Sequence, residues 1–250
     1  MNTIIRTKNL SKSFNNNYVL RDVSIEIPEN SISAIIGQSG TGKSVLIKTI
    51  TGMLKPDSGE IWFRNKELTA LDQNEMFEIR KFFGYSFQNA ALFDSMNVGE
   101  NLAFPLEEVL HIKNRQEIQK RVKEILDWIE LPGIQLKRVD ELSGGMRKRV
   151  GVARSLIMRP EVFFFDEPTT GLDPVLSETI NNLIVRVNRE LGITCILITH
   201  DILAAFRISD KIVFLDQGNI VADGSPAEVA ASEHQIVKDF IKISFSELKV

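Results

Sequence analysis

The stretch IIGQSGTGKSVLIKTITG (residues 35–52) decides how this 250-residue chain is read. It sets Gly37, Gly40 and Gly42 within six residues, follows them at once with Lys43 and closes on Gly52. Glycine loses more conformational freedom on folding than any other residue, so such a cluster needs a reason. The flanks supply one. SISAIIG (31–37) is apolar and β-branched, as a short buried strand should be, and GKSVLIKTITG spaces Val45, Leu46, Thr49 and Ile50 for one packed helix face. A strand, a glycine loop and a helix N-terminus make an anion site, because the loop's N–H groups converge and the helix dipole adds partial positive charge. Gly37-Gln38-Ser39-Gly40-Thr41-Gly42-Lys43-Ser44 fits G-x-x-x-x-G-K-[ST]. In that pattern the glycines let the backbone wrap a nucleotide's phosphates, Lys43 reaches the β/γ-phosphates and the Ser44 hydroxyl helps hold Mg²⁺. Val45 completes the candidate nucleotide-binding set. A plain glycine-rich turn is the bland alternative, and it leaves the flanking strand and helix unexplained.

Composition narrows the class. Hydrophobic residues make up 43% and charged residues 25%, which is ordinary for a globular protein large enough to bury a substantial core. A net charge of −3 offers no basic excess for nucleic acid, so no nucleic-acid partner is expected. The one cysteine, Cys195, excludes an intrachain disulfide and lies in the apolar run ITCILIT, where a buried structural thiol is expected. No stretch approaches the roughly 18 apolar residues of a membrane span. The N-terminus lacks the apolar core of a signal peptide, so an intracellular protein is expected, reaching a membrane only through a partner.

Periodicity supplies the architecture. TIIRTKNL and VLRDVSIEI read as strands joined by the turn SFNNNY, and KPDSGEIWFRN as a turn and a third strand. In NRQEIQKRVKEILDWIEL, the residues Ile118, Val122, Ile125, Leu126 and Ile129 form one apolar helix face. A second helix begins after ELSGGM and must stop before Pro160. VFFFDEP (162–168) and ITCILITHD are continuous apolar runs of the kind found in parallel strands buried on both faces. LSETINNLIVRVNREL reads as a helix, and KIVFLDQGNIVADG as a hairpin turning at Gln217, Gly218 and Asn219. The expectation is an α/β fold: a P-loop NTPase core of mostly parallel sheet flanked by helices, an N-terminal antiparallel β subdomain, and an inserted helical subdomain over about residues 89–160. One domain is expected to span 1–230, followed by a short tail over 231–250.

The candidate chemistry sits at strand ends. Asp166 terminates VFFFD and suits the Mg²⁺ shell together with Ser44 and Gln88. Glu167 points elsewhere and can orient and deprotonate a water, unless it merely caps the next turn. His200 ends ILITH, where a neutral imidazole can bond a γ-phosphate. LSGGM (142–146) places Ser143, Gly144 and Gly145 at a helix start, which makes either a second anion site or a plain Ser-capped helix. In Arg147, Lys148 and Arg149 a solvated helix face is expected.

Taken in order, Phe14, GQSGTGKS, Gln88, LSGGM, VFFFDEP, TGLDP and His200 resemble the ATP-binding subunits of ABC transporters along nearly the whole chain. The resemblance implies ATP and Mg²⁺ as ligands and an ATPase as the activity. It implies that Phe14, or failing it Tyr18, stacks on adenine, and that Gln88 links the nucleotide to a membrane permease docked nearby. It implies a homodimer in which Asp173 lies at the interface and Ser143, Gly144 and Gly145 reach the γ-phosphate held by the other protomer. Two departures are visible: Met146 where glutamine is common, and Val45 where threonine often follows the P-loop serine. Neither removes a phosphate-contacting group.

FQNAALFDSMNVGENLAFPL (87–106) and LSGGMRKRVGVARSL look like the ATPases of Mla/Mce-type lipid transport systems. That resemblance implies phospholipid as cargo between bacterial envelope membranes, a peripheral position on the cytoplasmic face of the inner membrane, periplasmic lipid-binding components, and a small regulatory protein or second ATPase on the tail. An amino-acid or other small-solute importer is the alternative. Another class is a non-transport ABC ATPase such as that of iron–sulfur cluster assembly.

Overall fold

The computed structural model describes residues 2–246 of the chain, so residues 247–250 of the expected tail lie outside it. Strands β1 (Thr3–Phe14) and β2 (Asn17–Pro28) form a hairpin closed by Asn15 and Asn16, both at positive φ (50° and 64°). A two-residue turn needs left-handed backbone at both positions, and asparagine tolerates it. The strands therefore run closer to the turn than the expected SFNNNY loop, and Phe14 and Tyr18 lie within them.

Strand β3 (Ile32–Ile36) passes through the glycine loop into helix α1 (Lys43–Ile50). Strands β4 (Ser58–Phe63) and β5 (Lys66–Glu67) follow, then helix α2 (Gln73–Arg80) and strand β6 (Phe83–Ser86). Helix α2 is absent from the sequence reading, although Asp72 and Glu75 form a capping box at its start. Helices α3 (Val98–Glu108), α4 (Arg115–Trp128) and α5 (Gly144–Leu156) make up the inserted helical part. On α4, Ile118, Val122 and Leu126 are buried as the spacing predicts. The chain then alternates β7 (Val162–Asp166), α6 (Pro174–Leu191), β8 (Thr194–Ile198), α7 (Ile202–Ile208) and β9 (Lys211–Asp216), and ends in β10 (Asn219–Gly224), α8 (Pro226–Ala230) and α9 (Gln235–Ser246).

Two sheets result. The first is antiparallel, ordered β2-β1-β4-β5; the second is ordered β10-β9-β3-β8-β7-β6 and is parallel except for the β9–β10 hairpin. Strand β7 shows why its sequence is continuously apolar. Phe163 and Phe165 pack toward the helical part, while Val162 and Phe164 pack toward α1 and the antiparallel sheet. Strand β8 divides in the same way, with Cys195 and Leu197 on one side and Ile196 and Ile198 on the other. Burial also raises the pKa of the Cys195 thiol and leaves it unreactive. Helix α9 lies on the remaining face, where Val237 is buried and Phe240 meets Phe214 edge-on at 5.0 Å. The carboxyl ends of β3, β7 and β8 are thereby brought side by side, the position where open α/β sheets hold their ligands.

Candidate active site

At that edge lies a cavity of about 410 Å³ lined by Val19, Ser39, Gly40, Gly42, Lys43, Ser44, Val45, Gln88, Glu167, Thr170 and His200. The loop's shape depends on glycine at two positions. A Cβ on Gly37 would stand 2.1 Å from the Leu215 carbonyl oxygen, and one on Gly42 would stand 2.7 Å from that of Val19. No side chain caps α1 and its first turn holds no acid, so its leading N–H groups are left for a ligand.

Lys43 is only 6% exposed, and its ammonium donates to the loop carbonyls of Gly37 (2.8 Å) and Gln38 (2.7 Å). Burial lowers its pKa, opposed by the Glu167 and Asp166 carboxylates. The Ser44 hydroxyl donates to Asp166 Oδ1 at 3.2 Å, joining the loop to the end of β7. Asp166 Oδ2 accepts from the Tyr85 hydroxyl at 2.9 Å. Burial, then the neighbouring Asp166 charge, raises the phenol's pKa, so Tyr85 remains a donor. Tyr85 lies 81 residues from Asp166 in sequence and carries no motif, so only the pairing of β6 with β7 brings it to the site.

Glu167 sits at φ 51°, a left-handed backbone that side chains rarely adopt, with its N–H bonded to the Ile198 carbonyl at 3.0 Å. Its carboxylate Oε2 lies 2.6 Å from His200 Nδ1 and accepts from the Thr170 hydroxyl at 3.1 Å. The His200 side chain is 62% exposed and that of Glu167 18%, so the imidazole stands at the mouth and the carboxylate beneath it.

The remaining sequence candidates fall elsewhere. Phe14 is 43% exposed, with the Lys12 ammonium 5.4 Å from its ring centre, and neither it nor Tyr18 lines the cavity; Val19 does. Ser143, Gly144 and Gly145 start α5 outside the cavity, and the Ser143 hydroxyl accepts from the Met146 N–H at 3.3 Å. Asp173 caps α6 by accepting from the N–H groups of Val175 and Leu176, both at 2.9 Å. The expected solvated face of Arg147, Lys148 and Arg149 is corrected at its centre: Lys148 is buried because α5 turns it inward, and only Arg147 is exposed.

The donor set suits a magnesium nucleotide. A hydroxyl, a carboxylate and an amide supply oxygen donors, and no group of three His, Cys, Asp or Glu among the described residues could enclose an ion unaided. Mg²⁺ commonly retains waters and takes phosphate oxygens, so sparse protein ligation fits it. Tyr85→Phe deprives Asp166 of one donor, and a hydrogen bond to a charged group is worth about 1.5–3 kcal/mol. The expected result is a higher Mg²⁺ concentration for half-maximal ATPase activity with metal-free ATP binding unchanged; an unaltered Mg²⁺ titration would refute it.

Comparison with known proteins agrees with this geometry. A family profile described as ABC transporter matches residues 20–170. The "Probable ribonucleotide transport ATP-binding protein mkl" of Mycobacterium leprae is 38% identical over 242 residues, covering 96% of this chain and 69% of the relative. The methionine import ATP-binding protein MetN of Carboxydothermus hydrogenoformans is 38% identical over 227 residues, covering 90% and 67%. Among solved structures, cbiO1 of Clostridium perfringens, part of the ABC transporter complex cbiONQ, superposes with a TM-score of 0.85 at 31% identity over 99% of this chain and 98% of its own. A dimeric post-hydrolysis ATP-binding cassette bound to ADP and Pi gives a TM-score of 0.81 at 31% identity over 89% and 98%. The chain belongs to the ABC transporter family. It is the ATP-binding subunit of such a transporter, an ATPase that uses ATP with Mg²⁺, and cassettes of this family dimerise and work with membrane permease subunits. Among the described residues no helix is long and apolar enough to cross a membrane.

Proposed function

We propose that two copies of this chain enclose two ATP molecules and drive a separate permease that moves phospholipid between bacterial envelope membranes, from the cytoplasmic face of the inner membrane. The observation that carries the ATP cycle is the division of the anion-binding features. The glycine loop, Gln88, Glu167 and His200 line one cavity, whereas Ser143, Gly144 and Gly145 form a helix start outside it, with Ser143 and Gly144 exposed and Gly145 buried. A second protomer turned to face the first brings its helix start to the open mouth. The Ser143 hydroxyl accepts from Met146, which leaves its own O–H free to donate to a phosphate oxygen. Glu167, seated beside His200, orients and deprotonates the attacking water. His200 bonds the γ-phosphate, Asp166 and Ser44 hold Mg²⁺ with Gln88, and Phe14 stacks on adenine. Loss of the γ-phosphate removes the contact that closes the pair, which is the differential interaction a ligand-driven switch requires.

The permease docks where the segment after Gln88 runs into α3. There an open groove of about 910 Å³ presents Met96, Ala103, Phe104 and Val122 beside Glu100 and Lys123. A small regulatory protein on the tail and periplasmic lipid-binding components complete the lipid reading. The resemblance of residues 87–106 to lipid-system ATPases supports phospholipid as cargo. An amino-acid importer is the second reading, favoured by the methionine import relatives. Purification of the assembled complex from its host membranes, followed by mass spectrometry of the retained molecules, separates the two. Stoichiometric phospholipid beyond the detergent-exchanged background supports the first reading, and a complex that retains no lipid but binds radiolabelled amino acid overturns it.

A further inference from the structure

Lys148 lies on α5, five residues after Ser143, and is only 9% exposed. A buried ammonium ordinarily has a carboxylate partner, yet among the described residues none lies within ion-pair distance of Lys148. Its hydrogen bond is to the backbone carbonyl of Thr170 at 3.3 Å. Thr170 is itself tied to Glu167 twice: its N–H donates to the Glu167 carbonyl at 3.3 Å and its hydroxyl donates to the Glu167 carboxylate at 3.1 Å. The same residue lines the nucleotide cavity. Burial lowers the pKa of Lys148, and the Glu167 charge opposes this. One side chain of the helix that begins at Ser143 thus grips the turn that aims the carboxylate.

We propose that Lys148 is a positioning residue for ATP hydrolysis, holding the Glu167–Thr170 turn through the Thr170 carbonyl so that movement of α5 is felt at Glu167. The proposal rests on the reading of Glu167 as the general base. Helix α5 also carries Ser143, so closure of the dimer on Ser143 and alignment of Glu167 become one event within a single chain. Neither Arg147, which is exposed and bonds the Leu142 carbonyl, nor Arg149, which bonds the Ile129 carbonyl, makes this connection.

The test uses the full-length chain with Lys148→Met, Lys148→Arg and, separately, Glu167→Gln. A misplacement of about 1 Å at a reacting group can lower a rate by roughly a hundredfold, so Lys148→Met is expected to reduce kcat at least tenfold (~10-fold or more) with KM for ATP within about twofold. Lys148→Arg, which keeps a long cationic donor, is expected to restore most of kcat. Introduced into the Glu167→Gln background, Lys148→Met is expected to leave the ATP-dependent dimer intact. Wild-type kcat in Lys148→Met overturns the proposal. So does a loss of ATP-dependent dimerisation or of thermal stability that the arginine variant shares, since that pattern marks a purely structural lysine. Retained turnover in Glu167→Gln alone would instead overturn the assignment of the base.

Discussion

Glu167→Gln is expected to stop ATP turnover and to leave a chain that still binds ATP and dimerises on it. The substitution preserves the size of the side chain and an oxygen able to accept from Thr170, so the turn after β7 is retained. It removes the carboxylate that lies 2.6 Å from His200 and would take the proton of the attacking water. General-base assistance contributes about 10²–10⁴ in rate, and the loss should fall in kcat with little change in nucleotide affinity. Size-exclusion chromatography with Mg-ATP should show a dimer that persists, because the bond whose cleavage separates the protomers is no longer broken. A profile that remains monomeric at saturating Mg-ATP would contradict the enclosed arrangement. Adding Ser143→Arg to the same chain should abolish the dimer, since a bulky side chain at the α5 start fills the space a partner's phosphate would enter.

Lys43→Ala acts one step earlier, on binding. The ammonium now rests on the Gly37 and Gln38 carbonyls at 2.8 and 2.7 Å, inside the loop proposed to receive the triphosphate. Removing it takes away the charge nearest the cavity floor and also uncaps two carbonyls that would then face the incoming phosphates. Hydrogen bonds to charged groups contribute about 1.5–3 kcal/mol, so affinity for ATP should fall roughly 10- to 100-fold and hydrolysis should cease. Isothermal titration with Mg-ATP decides it, and wild-type affinity in this variant would remove Lys43 from the site. The two substitutions are expected to separate cleanly: one should bind and not turn over, the other should scarcely bind.

The parts of the site legible in the sequence are those whose chemistry is contiguous. The glycine loop is eight consecutive residues between a strand and a helix, and Asp166, Glu167 and His200 each end a run too apolar to be anything but a buried strand. Sheet order then brings them together, because β3 pairs β8 and β8 pairs β7. Pairings across the sheet were not legible. Nothing in GYSF announces that the Tyr85 hydroxyl reaches Asp166, and nothing in MRKRV tells which of three adjacent cations turns inward. Helix phase decides the latter, and at a helix start whose facing elements are unknown that phase has no reference. Val19 was missed for a related reason. It looks like an ordinary strand residue, and it borders the cavity only because Gly42 and Gly218 both approach its carbonyl closely. The capping boxes at Asp72–Glu75 and Asn97–Glu100 were readable and would have set the starts of α2 and α3.

The left-handed backbone at Glu167 sets folding and chemistry against each other at one position. Glycine would relax that conformation without penalty, and asparagine would tolerate it, whereas an ordinary L-residue is held there at a cost of about 1–2 kcal/mol. Selection for thermal robustness alone would therefore drift away from glutamate at this site and yield hardier, inert cassettes. On the reading of Glu167 as the general base, the acid occupies a backbone that disfavours it, and the protein there trades durability for work.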